Sequence, residues 1–277
     1  MSDCNGKCEG CASKGNCSSE IKKAEPTKDS KIKKIIAVLT GKGGVGKSSV
    51  TSLLAIELAR AGYKVGIMDA DITGPSIPKM FGLKEDLMGD EEGIFPASSS
   101  LGIKIVSVNF MLEREDTPLV WRGPMLGGVI RQFYSEVHWG ELDYLLIDMP
   151  PGTSDIAISV FQFVPVDGIV MVTTPSKLVS MVVSKAINMA DEVKVPIVGL
   201  VDNMAYVKCD NCGHDIQIYK NDDSKQVADI FGLDVLSKMP MDVNVANMCD
   251  EGHIEDYDGD YLKELVKALW KQTINYH

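Results

Sequence analysis

Eight consecutive residues early in the chain have types and spacing suited to binding phosphate. From Gly41 to Ser48 they read Gly-Lys-Gly-Gly-Val-Gly-Lys-Ser, which satisfies the pattern G-x-x-x-x-G-K-[ST]. The glycines let backbone N–H groups turn inward around phosphates, and a helix that begins here adds the positive end of its dipole. We expect Lys47 to reach the β- and γ-phosphates and Ser48 to ligate Mg²⁺. The predicted nucleotide-binding residues of this loop are Gly41, Lys42, Gly43, Gly44, Val45, Gly46, Lys47, Ser48 and Ser49.

Acidic residues follow two apolar segments that read as buried strands. Asp69 and Asp71 come after the first segment, and Asp148 comes after the second. In an open α/β sheet the ligand lies outside the carboxyl ends of the strands, so one acid of the first pair is expected to orient the attacking water. Asp148 is expected to hold the magnesium shell, and Gly152 to bring a backbone N–H to the γ-phosphate and report its loss. Either acid alternatively serves as a helix cap or turn residue.

A second type of site is indicated by Cys209 and Cys212, whose C-x-x-C spacing lets both thiols chelate one metal centre from a tight turn. Two thiolates are half of a four-ligand site, and a two-fold dimer completes it by repeating the turn across its axis. Zinc, with His214 as a further ligand, and an iron-sulfur cluster both fit this pattern. A redox C-x-x-C is a third alternative, although such motifs sit at a helix N-terminus and this segment reads as a loop.

Four more cysteines lie near the N-terminus with the spacing C-x3-C-x2-C-x5-C: Cys4, Cys8, Cys11 and Cys17. Residues 1–31 contain almost nothing apolar, so they are predicted to be a disordered, cysteine-rich tail that needs a ligand to fold. The four soft ligands indicate a metal site, and a reactive or zinc-scavenging extension is the alternative. The seventh cysteine, Cys249, is expected to be a small buried hydrophobic residue.

The composition restricts the classes of function. Of the 277 residues 45% are apolar, and 28 basic against 39 acidic residues give a formal net charge of −11. This charge opposes binding to phosphate backbones and anionic lipids, so we expect no nucleic acid and no membrane as partners. The N-terminus lacks a signal-peptide pattern, and no segment stays apolar for the ~20 residues that a bilayer crossing needs. We therefore expect a cytoplasmic protein, in which structural disulfides are poor candidates.

Strand-like and helix-like patterns alternate from residue 32 onward. This alternation predicts an α/β fold, a doubly wound and mainly parallel sheet, in one domain over residues 32–277 with the C-x-x-C loop inserted near 203–214. The predicted strands are 35–39, 64–68, 103–108, 144–147, 168–173, 197–201 and 234–236, and the predicted helices are 49–61, 127–137, 176–192 and 261–271.

Three motifs together carry a family resemblance. The segments G-K-G-G-V-G-K-S, D-A-D-I-T-G-P-S and D-M-P-P-G-T-S-D resemble those of the Mrp/ApbC-type iron-sulfur carriers, within the MinD/ParA/nitrogenase-iron-protein group. The similarity covers the chain from Ile35 to its end. It implies a P-loop NTPase fold, ATP hydrolysis and a homodimer that delivers clusters to apo iron-sulfur client proteins.

The resemblance also implies residue roles. Lys42 would cross a nucleotide-sandwich dimer to the partner's nucleotide, which supplies the negative charge that a second lysine in the loop requires. Asp71 would be the water-orienting acid and Asp148 the magnesium-shell acid, so that the catalytic set is Lys42, Lys47, Asp71 and Asp148. Asn203 matches the position that reads adenine, and Pro240 lies in a segment like the family's base-side loop.

For the cysteines, the resemblance implies that paired C-x-x-C motifs bridge a [4Fe-4S] cluster. The last three tail cysteines resemble the C-x2-C-x5-C of the eukaryotic-type cytosolic scaffold branch, which carries an additional N-terminal cluster, although the first spacing is shorter here. Two rival classes share the fold. A positioning ATPase would need a basic patch or a membrane-binding terminus and no metal, and an electron-donating reductase would have cluster ligands spaced far apart.

Overall fold

The structure, a computed structural model, describes residues 22–72, 74, 76–84, 87–111, 123–152, 154–175, 177–209, 211–219 and 223–274. Its strands are β1 (Lys31–Leu39), β2 (Val65–Asp69), β3 (Ala97–Ser98), β4 (Lys104–Ser107), β5 (Glu141–Asp148), β6 (Gly168–Thr173), β7 (Ile197–Lys208), β8 (Asp215–Gln217) and β9 (Val235–Pro240). Its α-helices are α1 (Lys47–Arg60), α2 (Ile77–Met80), α3 (Gly123–Ser135), α4 (Asp155–Phe163), α5 (Lys177–Val193), α6 (Asp223–Phe231), α7 (Val243–Glu251) and α8 (Lys263–Ile274).

All the described strands belong to one sheet, in the order β3-β4-β2-β5-β1-β6-β7-β8, with β9 also paired to β7. Among the described strands, only β3 and β8 run antiparallel to their neighbours. The central strands are Ile-, Val- and Leu-rich runs that are buried on both faces, as parallel strands covered by helices must be. One core cluster contains side chains of α3, α4 and α5, and the other contains side chains of α1 and α8. The predicted doubly wound α/β fold is confirmed.

Some boundaries differ from the sequence prediction. The strand predicted at 197–201 continues to Lys208, so Asn203 lies inside β7 and not at its end. Pairing with β8 on one side and β9 on the other stabilises this less apolar extension, which no local pattern revealed. The prediction also lacked β3, β8, α2, α4, α6 and α7, which are short, with nine residues or fewer each.

Residues 22–30, which composition assigns to the tail, lie against the domain. The Ala24 N–H donates to the Phe163 carbonyl at the end of α4 over 2.8 Å. Lys23 donates to the Phe161 carbonyl and, over 3.2 Å, to that of Val164. Lys23 and Ala24 hold this segment in place because they donate hydrogen bonds to backbone carbonyls at a helix C-terminus, where a cation is favoured. The four tail cysteines, Cys4, Cys8, Cys11 and Cys17, lie outside the described residues.

The same segment is held by an ion pair that predicts a pH dependence of stability. His138 Nδ1 lies 3.0 Å from Asp29 Oδ2, and this hydrogen bond raises the pKa of His138, while hydrogen bonds from Thr27 and His138 lower the pKa of Asp29. The stabilisation is therefore complete below the unfolded histidine pKa of about 6.5, disappears as pH rises through the raised folded value, and disappears again in acid as Asp29 protonates.

We expect Asp29→Asn to lower Tm by roughly 1–3 °C near pH 6 and by much less near pH 9, because Asp29 is largely exposed and such pairs contribute at most about 1 kcal/mol. Measuring the Tm of both proteins by thermal unfolding between pH 6 and pH 9 tests this prediction. Asp143→Asn is the control, since its partner Lys33 keeps its charge throughout. A Tm difference for Asp29→Asn that is as flat with pH as that of the control would contradict the assignment.

Candidate functional site

The phosphate-binding loop lies between β1 and α1, at the carboxyl edge of the sheet. Gly44 and Gly46 have φ of 81° and 76°, a left-handed conformation that residues with a Cβ rarely adopt. The loop borders a cleft of about 230 Å³. The lining residues are Thr40, Gly43, Gly44, Val45, Gly46, Lys47, Ser48, Ser49, Asp71, Ser76, Met80 and Pro151. The structure therefore brings together most of the predicted loop residues and Asp71 around one cavity.

Gly46→Ala is expected to weaken nucleotide binding by about tenfold or more. A Cβ at this position would lie 2.3 Å from Asn203 Nδ2, and the positive φ adds about 1–2 kcal/mol of strain. The affinity for a fluorescent ATP analogue, measured by titration, tests this. Gly128→Ala in α3 is the control because its Cβ would meet nothing within 4 Å. Equal affinities for the two variants would show that the loop tolerates the change.

Asp148, the last residue of β5, contacts three donor side chains of α1. Lys47 Nζ lies 2.6 Å from Asp148 Oδ2, and the Ser48 hydroxyl donates to the same oxygen over 2.6 Å. The Thr51 hydroxyl donates to Oδ1 over 2.7 Å. Thr51 lies one helical turn after Lys47 on the face that meets the sheet, and its contact with Asp148 was not predicted from the sequence. Hydroxyl and carboxylate oxygens meeting at one point are the hard donor set that Mg²⁺ prefers, so these residues fit that ion.

The two acids after β2 have different environments. Asp71 Oδ2 lies 3.7 Å from Lys47 Nζ and faces the cleft. Asp69 is fully buried and accepts from the Ser107 hydroxyl over 2.9 Å and from the Asp71 N–H over 3.2 Å. Burial, and secondarily the charge of Asp148, raise the pKa of Asp69 to about 8. Asp71 is therefore the acid of this pair that reaches the cleft, and Asp69 supports its backbone.

Gly152 lies in the loop after β5, beside the phosphate-binding loop. Its N–H donates to the carbonyl of Thr40 over 2.9 Å, and its φ is 76°. Thr40, which sequence reasoning missed, also donates from its hydroxyl to the Lys42 carbonyl over 3.2 Å. The side chain of Lys42 is exposed. Thr40 thus joins the loop after β5 to the phosphate-binding loop.

The two predicted base-side residues are not among those that line the cleft. Asn203 is buried in β7, and its Nδ2 donates to the Val45 carbonyl of the phosphate-binding loop over 2.9 Å. Met204, the next residue, has a φ of 53° where the pairing of β7 with β9 is irregular. Pro240 is the buried last residue of β9 and is paired with Tyr206. The contact between Asn203 and the loop was not predicted.

Cys209 and Cys212 lie in the turn that joins β7 to β8. The Cys209 N–H donates to the His214 carbonyl over 2.9 Å, and the Gly213 N–H donates to the Cys209 carbonyl over 2.8 Å. Cys209 is half-buried and Cys212 is exposed. Among the described residues, no set of three or more His, Cys, Asp or Glu side chains forms a metal site. The turn therefore fits one half of a soft-ligand site.

Cys249, in α7, is buried as expected, and its thiol lies 3.8 Å from the Ser49 hydroxyl. Burial raises the pKa of this thiol, which keeps it protonated. Cys249 is therefore a packing residue beside the helix that follows the phosphate-binding loop. Within the described part of the chain, no helix is long and apolar enough to cross a membrane.

Known proteins are similar in sequence to this chain along most of its length. A family model described as ParA, NUBPL iron-transfer P-loop NTPase, matches residues 31–273. The iron-sulfur cluster carrier protein of Clostridium perfringens is 43% identical over 259 residues, 91% of this chain and 91% of that protein. The cytosolic Fe-S cluster assembly factor NUBP2 homolog of Dictyostelium discoideum is 42% identical over 251 residues, 88% of this chain and 94% of that protein.

A solved structure agrees with the fold. The nucleotide-binding protein of Archaeoglobus fulgidus, in complex with ADP, has a TM-score of 0.76 and 42% identity over 84% of this chain and 91% of that chain. The resemblance seen in the three motifs is confirmed. Because the family model spans residues 31–273 and a relative at 43% identity aligns over nine-tenths of both chains, this protein belongs to the ParA/NUBPL family of iron-transfer P-loop NTPases.

Proposed function

We propose that the protein is an ATP-dependent iron-sulfur cluster carrier, in which nucleotide state controls a cluster held by Cys209 and Cys212. One observation carries the proposal. Strand β7 connects the two sites. It contains Asn203, which donates a hydrogen bond to the phosphate-binding loop, and it ends next to Cys209. Relatives named as iron-sulfur cluster carriers support it.

The nucleotide-binding residues have separable tasks. Backbone N–H groups of the loop and Lys47 bind the β- and γ-phosphates, and Ser48 and Asp148 hold Mg²⁺, which neutralises phosphate charge when bound. Asp71 orients the attacking water from the cleft wall. The Asn203 amide oxygen accepts from the adenine amino group while its NH₂ holds Val45. Pro240 borders the base from β9.

ATP hydrolysis is slow, and its role is to switch the protein between two states rather than to consume ATP rapidly. The Gly152 N–H now donates to Thr40, and contact with a γ-phosphate requires this N–H to exchange one acceptor for the other. The loop after β5 therefore has two hydrogen-bonding arrangements, one with the γ-phosphate and one without it. Lys42 is exposed at the mouth of the loop and reaches the nucleotide bound by a second copy of the chain. The catalytic site is therefore complete only in the homodimer.

The cluster site also needs the second copy. Two thiols in one turn supply half of the ligands of a [4Fe-4S] cluster, and a two-fold axis through the paired turns supplies the rest. The cargo then bridges the dimer near its surface, where Cys212 is exposed and an apo iron-sulfur client protein has access. Cys4, Cys8, Cys11 and Cys17 would hold a second cluster at the N-terminus.

The acidic composition supports a cytoplasmic carrier that uses neither nucleic acid nor a membrane surface. One of the relatives is named as cytosolic, which agrees with this location. These two points favour the carrier over a positioning ATPase, which would need a surface or DNA to polymerise on.

A transfer assay tests the proposed function. The protein, reconstituted anaerobically with iron and sulfide, is mixed with a purified apo-ferredoxin, and holo-ferredoxin is followed by its spectrum with ATP, with ADP and without nucleotide. We expect transfer faster than from free iron and sulfide, with rates that differ about fivefold or more between nucleotide states. Transfer no faster than from free iron and sulfide, in every nucleotide state, would refute the carrier.

A further inference from the structure

The N-terminal segment of the described chain is fixed at the end of α4, next to a surface groove. The Ala24 N–H donates to the Phe163 carbonyl over 2.8 Å, and the Lys23 side chain donates to the Val164 carbonyl over 3.2 Å. The Ala24 side chain also packs against the hydrophobic core on this face of the sheet. Any path that residues 1–21 take over the surface therefore starts at the C-terminal end of α4.

The groove lies between α3 and α4 and has a volume of about 570 Å³. A Cβ on Gly127 would lie 3.3 Å from Ser159 Oγ, so this glycine lets the two helices approach closely. A Cβ on Gly128 would meet no described atom within 4 Å, so the space above this second glycine is open. We call this space the α3–α4 groove. Its lining residues are Gly127, Gly128, Arg131, Asp155, Ile158, Ser159, Gln162 and Phe163.

The α3–α4 groove leads from the fixed end of the chain toward the nucleotide-binding cleft. Phe163 lines it at the C-terminal end of α4, and Asp155 lines it at the N-terminal end. Asp155 follows the loop after β5, whose Pro151 lines the cleft. The nine residues of α4 span about 12 Å along the helix axis, and an extended chain covers that distance in about four residues. Residues 18–21 are therefore long enough to fill the groove.

The residues just before the fixed point have side chains that suit this groove. Ile21 is the only isoleucine, leucine, valine or aromatic residue of the tail. It would cover Ile158, which lines the groove and is 42% exposed. Glu20 has a charge opposite to that of Arg131, an exposed side chain that also lines the groove. The two residues before Glu20 are serines, whose small side chains fit beside the glycines of α3.

We infer that residues 18–21 dock in the α3–α4 groove. Glu20 pairs with Arg131 in the groove, and Cys17 is then held beside the start of α4. The chain's own segment is the occupant because it is tethered at one end of the groove, which gives it an effective concentration far above that of a free partner. The inference goes beyond the proposed function and does not depend on any cluster. It places Cys17 next to the loop that the proposed function couples to the γ-phosphate.

Limited proteolysis of the full, metal-free chain with an endoproteinase that cleaves after lysine tests the docking. A protease binds several extended residues on both sides of the bond that it cleaves, so docking of residues 18–21 slows cleavage after Lys14 more than cleavage after Lys7. Gly128→Leu fills the groove, and it preserves the fold because leucine favours a helix more than glycine does. We expect this variant to raise the rate of cleavage after Lys14, relative to Lys7, by about tenfold.

Gln226→Leu is the matched control, since Gln226 is exposed on α6 and does not line the groove. We expect it to be cleaved like the wild type, and all variants to unfold within about 5 °C of the wild-type Tm. Arg131→Glu is expected to raise the relative rate roughly threefold, because an exposed ion pair contributes little. Adding Glu20→Arg is expected to restore the wild-type rate, because the two charges are then exchanged.

Equal relative rates in the wild type and in Gly128→Leu would overturn the inference, as would a charge exchange that restores nothing. Protection of Lys14 that disappears when the wild-type protein is diluted would assign the groove to a second copy, and it would also overturn the inference. None of these measurements uses iron, sulfide or nucleotide. A failure of the proposed carrier function would therefore leave this result unaffected.

Discussion

Asp148→Asn is expected to lower the rate of ATP hydrolysis by about 10²- to 10³-fold, as the loss of a single electrostatic group at a reaction centre does. The carboxylate neutralises Lys47 at 2.6 Å and accepts from Ser48 and Thr51. An amide of the same shape keeps one acceptor but has no charge, so it does not balance the lysine and binds a divalent ion more weakly. Phosphate release measured at saturating ATP and Mg²⁺ gives the rate.

The matched control for this prediction is Asp143→Asn, five residues earlier on the same strand. Asp143 forms an ion pair with Lys33, whose side chain is 71% exposed. Its loss is expected to leave the rate within about twofold of the wild type, because exposed pairs contribute little and this one is remote from the cleft. Hydrolysis that is equally slow in both variants would attribute the effect to general destabilisation. If Asp148→Asn hydrolyses ATP at the wild-type rate, Asp148 is not part of the catalytic site.

Cys209→Ser combined with Cys212→Ser is expected to remove the bridging cluster completely. Serine hydroxyls are hard, weakly acidic ligands, whereas iron in a cluster prefers thiolates. The variant should lose the visible charge-transfer absorption of about one cluster per two chains, together with the dimer that the cluster stabilises. It should keep nucleotide binding, because the turn lies outside the residues that line the cleft. Spectra and size-exclusion profiles after anaerobic reconstitution provide both readouts.

Cys249→Ser is the control for this pair. Cys249 is buried in α7 and contacts Ser49, so its replacement changes one thiol without touching the turn. We expect it to retain the full cluster absorption. If the cluster persists in the double variant, or disappears equally in Cys249→Ser, Cys209 and Cys212 are not its ligands.

The parts of the fold that could be predicted are those encoded by short, continuous patterns. β1 and α1 flank a glycine-rich motif whose spacing fixes the conformation, and the buried runs of β5 and β6 admit few other interpretations. The positions of Lys47, Ser48, Asp71 and Asp148 at one edge followed from that pattern and from the rule for carboxyl ends of parallel strands.

Other features depend on contacts between residues far apart in sequence, and no local pattern shows them. The bond from Asn203 to Val45 joins residues 158 positions apart, and that from Thr51 to Asp148 joins residues 97 apart. The β7–β8 hairpin was missed because its second strand has three residues and is exposed. The anchoring of residues 22–30 depends on the carbonyls that end α4, which become available only once the domain has folded.

A cluster shared by Cys209 and Cys212 of two chains has a defined stoichiometry and mass. The most direct measurement is iron, sulfide and assembly mass for a chain in which Cys4, Cys8, Cys11 and Cys17 are replaced by Ser, reconstituted anaerobically and analysed by native mass spectrometry. We expect about two iron and two sulfide per chain, in a particle with the mass of a dimer carrying one [4Fe-4S] cluster. Zinc alone, no metal, or iron bound to a monomer would contradict it.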